Sequence, residues 1–251
     1  LILYRGDRLF VIMNLFPYNT GHVMIVPNAH VAIPEAADQA TLADMGAFLQ
    51  PTLRALRRVL NADGFNVGIN VGAVAGAGVA DHLHQHVVPR WQGDANFMPI
   101  LASTMALPEL IPVTYAKVRA ELEREMAGLG DVVTEVTVVV LNPDRSSVLL
   151  VETDGMLSLP VIGVEPRQSV WRSAAAAIAT WGIDAMVAGW AGPARASAGE
   201  PISLCFLAAT ESRFQGPHRF AWVGTASDRM SSVPGKSTVE RAIANLAPTG
   251  A

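Results

Sequence analysis

Apolar positions along the chain recur at two periods, and the period predicts the element. Residues 9–13 and 22–26 are short apolar runs that predict buried strands, joined by a turn-rich stretch over residues 14–21. Leu42, Met45, Leu49, Leu53, Leu56 and Leu60 then recur at helical spacing and predict a helix over residues 38–60. Pro51 lies inside it and is expected to kink or split it. Residues 65–71 and 83–88 predict a third and a fourth strand, separated by a loop of small residues over 72–78. Leu110, Tyr115, Val118, Leu122 and Met126 share the apolar side of a helix predicted over residues 107–126.

The pattern restarts after Gly128-Leu129-Gly130, which marks the expected boundary between a domain at residues 1–128 and a second at 131–251. Residues 136–141 and 148–151 predict a hairpin around Asn142-Pro143-Asp144. An alanine-rich helix is expected over 169–181, closed by Gly182. Strands over 202–210 and 219–223 and a helix over 239–246 complete the second half. There is no internal repeat.

Composition narrows the function classes. Half the residues are hydrophobic (51%) and 16% are charged, which supports a sizeable core. The net charge of −4 argues against a nucleic-acid surface, while leaving room for a locally positive site that takes a small anion. The single cysteine, Cys205, cannot close an internal disulfide and points to a reducing cytoplasm; its apolar neighbours make it a core residue. No stretch reaches the roughly 18 apolar residues that span a membrane, and no signal peptide is visible. The chain begins at Leu1 and enters a strand-like pattern almost at once, so a preceding segment is expected.

The chemistry concentrates in His82-Leu83-His84-Gln85-His86, three of the chain's six histidines in one run. On a strand, residues at i, i+2 and i+4 share a face at steps of roughly 6–7 Å. Such a group suits two uses. Three imidazoles can hold zinc at about 2.0–2.1 Å. Alternatively, one imidazole attacks a phosphorus atom while the others orient it and assist the leaving group.

Residues 82–88 (His-Leu-His-Gln-His-Val-Val) resemble the His-φ-His-φ-His-φ-φ pattern of the histidine triad (HIT) nucleotide-binding proteins, with Gln85 polar where an apolar residue is usual. Residues 80–98, with Val87-Val88-Pro89-Arg90-Trp91, Gly93-Asp94 and Asn96-Phe97-Met98, look like the bacterial branch near the diadenosine tetraphosphate phosphorylases and hydrolases. Residues 14–27, containing Pro17-Tyr18-Asn19-Thr20-Gly21-His22, are similar to the segment that builds that family's base and ribose pocket. The resemblance covers residues 1–125. It implies an α+β fold with an antiparallel sheet and helices, a nucleotide substrate and a homodimer. It implies that His84 is the nucleophile, that His86 assists the scissile phosphate and the departing oxygen, and that His82 holds His84 in its reactive tautomer with His22 behind it. Asn14 would bind the ribose hydroxyls, and Asn70 the phosphate or the triad. From the residues themselves, backbone N–H groups near Gly76 and Gly78 are candidate phosphate donors and Phe97 a candidate pocket lining. Arg90 is a further candidate phosphate donor. Many relatives carry Gln, Ser or Thr where Gly78 and Val79 stand, so a backbone N–H is expected to replace that side chain. No metal and no cofactor are implied. A non-catalytic nucleotide-binding module and a zinc enzyme built on the same histidines are the competing functions. His30, Asp81, Trp91 and His218 are expected to be structural.

The second half resembles a Nudix domain, an α/β/α sandwich, in its order of strand, hairpin and helix. Active Nudix enzymes carry several glutamates on that loop and helix to bind Mg²⁺. Here residues 175–182 contain no carboxylate and Glu165 stands alone, so a degenerate domain without hydrolytic activity is expected.

Overall fold

A computed structural model describes residues 1–75, 79, 81–94, 109–192, 202–209 and 219–246. The fold is α+β, and the chain divides into two compact units, Leu1–Val118 and Arg119–Ala251. The division falls within a helix rather than at residues 128–130. Gly128, at φ 70°, ends that helix: Gly128 N–H donates to the Glu125 carbonyl and Leu129 N–H to the Arg124 carbonyl. The glycines therefore mark a helix terminus.

The first unit is a five-stranded antiparallel sheet: β1 (Ile2–Arg5), β2 (Leu9–Met13), β3 (Val23–Pro27), β4 (Gly64–Ile69) and β5 (Gln85–Arg90), in the order β1-β2-β3-β5-β4. Helix α1 (Gln39–Leu60) packs on β2, β3 and β5. Strand alternation divides the side chains between two faces. Leu9, Val11, Met13, Val23, Ile25 and Val87 are buried on one, and Phe10, Ile12, Met24 and His86 line the other.

Helix α1 starts where the Asp38 carboxylate accepts from Thr41 N–H and ends at Asn61 in the left-handed region (φ 52°). It runs unbroken through Pro51. The lost N–H is one bond among many, and burial of Met45, Thr52, Ala55, Leu56 and Val59 on both sides of the proline holds the element together. The buried stripe is thus rotated from the leucine row; Leu42, Leu49, Leu53 and Leu60 flank it, half-buried.

Helix α2 (Ile111–Met126) follows, its predicted first residues at 107–108 lying outside the described residues. The second unit then carries β6 (Thr134–Leu141), β7 (Ser147–Thr153), β8 (Met156–Ser158), β9 (Val161–Val164), α3 (Val170–Thr180), β10 (Ala185–Trp190), β11 (Ile202–Ala208), β12 (Arg219–Gly224) and α4 (Lys236–Leu246). The sheet runs β10-β11-β6-β7-β12, with β8 on β7 and β9 on β6. The predicted hairpin reduces to one register pair, Leu141↔Val148. The rest of β6 pairs antiparallel with β9 and parallel with β11. Val139, Leu141, Leu150, Cys205, Val223 and Val239 form its core, against which Ile243 and Leu246 of α4 pack. The Cys205 thiol is pushed up to about 12 by burial. No described helix is long and apolar enough to cross a membrane.

Candidate active site

The site is built on the open face of the first sheet. The register places Met24 beside His86 and Ile12 beside Met24. His22 lies two residues before Met24 and so shares its face. Gly68 stands opposite His86 on β4 and leaves the space beside the ring open. Gly21 sets the entry into β3: it adopts φ +76°, and a Cβ there would come within 2.2 Å of Leu60 Cδ1, so position 21 requires glycine.

The three triad histidines do not share one strand. β5 begins at Gln85, so only His86 is a strand residue; His82 and His84 lie in the approach to it. That approach turns the rings to different tasks. His84 Nδ1 lies 2.7 Å from the backbone carbonyl of His82. A carbonyl only accepts, so Nδ1 carries a proton, which in the neutral ring leaves the lone pair on Nε2. The contact that fixes the His84 tautomer therefore comes from the main chain of His82 and not from its ring. The His82 ring donates through Nε2 to the Pro27 carbonyl at 2.9 Å and meets His30 edge-on, with ring centres 4.7 Å apart. Among the described residues, no three His, Cys, Asp or Glu side chains converge as metal ligands.

His22 backs His86 rather than His84. The Tyr18 backbone N–H donates to His22 Nδ1 at 3.0 Å, and the Asn14 amide approaches the same nitrogen at 3.2 Å. A backbone N–H only donates, so His22 Nδ1 is bare and its proton sits on Nε2. That proton is donated to His86 Nδ1 at 3.0 Å. His86 must then carry its own proton on Nε2, a buried atom with no hydrogen-bond partner among the described residues. The chain of contacts delivers a bare nitrogen on His84 and an N–H donor on His86, their rings 4.8 Å apart.

Electrostatics keep this order. Burial, followed by the neighbouring His86 and His84, lowers the His22 pKa to about 4, and burial with His84 also lowers that of His86. Both rings stay neutral near pH 7, as the donor-acceptor order requires. Tyr18 covers the pair: its ring lies 4.8 Å from His22 and 5.6 Å from His86, 27° from parallel with the latter. Beside the triad, Phe10, Ile12, Met24, Val26 and Val79 line an open apolar cleft of about 180 Å³ that His82 and His84 border.

The other expected residues are placed as follows. The Asn14 amide oxygen accepts from Phe16 N–H at 3.0 Å, so both ends of this side chain serve the turn and His22. Asn70 directly follows β4. Gly76, Gly78, Phe97 and His218 lie outside the described residues. Arg90 is not at the triad: it closes β5 and pairs through Nε and one terminal nitrogen with Asp94, both at 2.7 Å. Trp91 donates its indole N–H to the Asn61 carbonyl. Tyr18 is a site residue that the sequence motifs do not single out. Its signal there is an aromatic four positions before His22 within a turn, where a backbone N–H can reach back to the ring.

The HIT domain family matches residues 1–93. Over 125 residues the chain is 41% identical to the AP-4-A phosphorylase of Mycobacterium tuberculosis, covering 50% of this chain and 64% of that relative's length. It is 30% identical to an uncharacterized HIT-like protein of Methanocaldococcus jannaschii, covering 38% of this chain and 72% of that protein. Among solved structures, a Zn-bound histidine triad family protein from Mycobacterium smegmatis aligns at 28% identity and a TM-score of 0.43, over 51% of this chain and 86% of that one. The family match over residues 1–93 contains both the triad run and the His22 segment, and with the archaeal relative at 30% identity over 72% of its length, the chain belongs to the histidine triad family.

Proposed function

We propose that the first unit is an enzyme that transfers a nucleotidyl group from a dinucleoside polyphosphate, or a similar nucleoside phosphate ester, through a covalent bond to His84. The observation that carries this reading is the paired arrangement of a bare His84 Nε2 and a buried His86 Nε2–H with no partner among the described residues. In the first step His84 Nε2 bonds to phosphorus as the bond to the departing phosphate oxygen breaks. The Nδ1 proton stays on the ring, held by the His82 carbonyl. His86 Nε2–H hydrogen-bonds the phosphate and assists the departing oxygen. In the second step water or inorganic phosphate attacks phosphorus and releases His84. The apolar cleft of Phe10, Ile12, Met24 and Val26 fits a base. The name of the mycobacterial relative supports diadenosine tetraphosphate as the first substrate to try.

The test is incubation with diadenosine tetraphosphate, with and without inorganic phosphate. ADP and ATP formed only when phosphate is present identify phosphorolysis; AMP and ATP identify hydrolysis. No turnover of any dinucleotide or AMP conjugate sinks the proposal, and a His84→Ala protein that keeps its rate removes the mechanism. We further infer that the protein acts as a homodimer, which sedimentation would check, and that the second unit is a degenerate Nudix-like sandwich. Its mixed sheet suits that fold, and α3 carries no carboxylate to hold Mg²⁺. A His84→Ala protein that still hydrolyses nucleoside diphosphate derivatives with Mg²⁺ would overturn the latter.

A further inference from the structure

The tautomer of His22 is set at Nδ1 by the Tyr18 backbone N–H and the Asn14 amide, both in the turn between β2 and β3. Much of this turn faces solvent, with Leu15 62%, Phe16 84% and Tyr18 57% exposed. Its internal bonds run from Asn14 N–H to the His22 carbonyl and from His22 N–H to the Asn19 carbonyl. Among the described residues, the turn's only hydrogen bonds to another element, apart from that of His22 itself, leave from the Asn19 amide. One goes to the Pro89 carbonyl at 3.3 Å and one to Asp94 at 2.9 Å.

Asp94 is a prepared anchor. Its carboxylate also accepts both Arg90 contacts and the Trp91 N–H at 3.0 Å. Four donors fix one side chain, and these bonds hold the carboxyl at about 2. The anchor lies four residues beyond Arg90, which is itself four residues and about 13 Å along β5 from His86. The same strand thus carries His86 at one end and the tether for the His22 turn at the other.

We propose that Asn19 and Asp94 are positioning residues for the reaction: by tying the turn to the end of β5 they hold the Tyr18 N–H on His22 and so fix the proton order that runs through His22 to His86. Neither residue touches the reacting atoms. The proposal rests on the nucleotidyl-transfer reading for its effect on rate, while its effect on His22 stands apart from any activity.

The experiment labels the histidines of the full chain with ¹⁵N and compares wild type with Asn19→Ala, Asp94→Ala and the double variant at pH 7.5. In wild type, His22 should show one bare and one protonated nitrogen, at Nδ1 and Nε2. In each variant both shifts should move toward their mean as the ring samples the other tautomer. With diadenosine tetraphosphate, kcat should fall about tenfold while KM stays within about twofold, because orientation is lost and binding is not. The double variant should fall no further than the worse single one, since the two residues form one tether. Unchanged His22 shifts in both single variants would overturn the proposal, as would additive losses in the double variant. Should Asp94→Ala fail to fold, Asn19→Ala leaves the Arg90–Asp94 pair in place and carries the test alone. If the wild type turns over no dinucleotide, the proposed function fails, and the ¹⁵N shifts still decide the tether.

Discussion

Acidification should loosen the first unit through His22. The ring has no exposed surface, and its pKa falls from 6.5 to about 4. An unfolded chain takes up this proton below about pH 6.5, whereas the folded one takes it up only near pH 4. The stabilisation is therefore complete above 6.5 and is lost as the pH falls toward 4. At about 1.36 kcal/mol per pH unit, the loss by pH 4.5 is about 2.5 kcal/mol, close to a seventyfold rise in the opening constant. His86, lowered for similar reasons, acts in the same direction. Hydrogen–deuterium exchange of the β3 and β5 amides, corrected for intrinsic pH dependence, reads this unit separately. The comparison is with His22→Gln, which cannot titrate. The stability difference between wild type and variant should shrink by about 2.5 kcal/mol from pH 7.5 to 4.5. A difference constant within about 0.5 kcal/mol would refute the linkage, because nothing else distinguishes the two proteins' proton uptake so directly.

Three further outcomes follow from packing. Gly21→Ala should destabilise the first unit by about 2 kcal/mol or more in the same exchange assay, since it adds left-handed strain to a collision with Leu60. Gln85→Met should raise stability by about 1 kcal/mol by thermal or urea unfolding. Its Oε1 is buried with no partner among the described residues, on the face shared with Ile25 and Val87. Arg124→Ala should cost the second unit about 3–5 kcal/mol in urea. The buried guanidinium donates to the carbonyls of Leu129, Val132, Glu165 and Gln168, and its loss leaves buried Glu121 without its neighbouring cation.

Local patterns in the sequence were legible where local forces decide. The apolar run at residues 9–13 and the leucine-rich periodicity up to residue 60 place β2 and α1 nearly at their observed bounds. The strand carrying the triad was placed two residues early, because spacing at i, i+2 and i+4 does not reveal where pairing begins. Pairing starts only when Gln85 meets Ile25 and Ile69. That offset decided the site, since it freed the His82 carbonyl for His84 and sent the His82 ring to Pro27. The His22–His86 contact spans 64 positions, and the Asn19–Asp94 contact 75. No periodicity reports such separations. The pairing of β9 with the first half of β6 is non-local in the same way: it takes part of the edge that faces β7 and shortens the expected hairpin to Leu141↔Val148.

The burial of Cys205 supplies a clock. It is the chain's one cysteine, has no exposed surface, and burial makes its thiol a poor nucleophile at neutral pH. A thiol-directed reagent therefore finds nothing to modify while the second unit is closed. Modification requires an opening of the sheet around β11, so at reagent concentrations where labelling outpaces reclosing its rate times the breathing of that unit without any engineered probe. Exchange at β3 reports the first unit, and the two measurements together show whether the units open as one or separately.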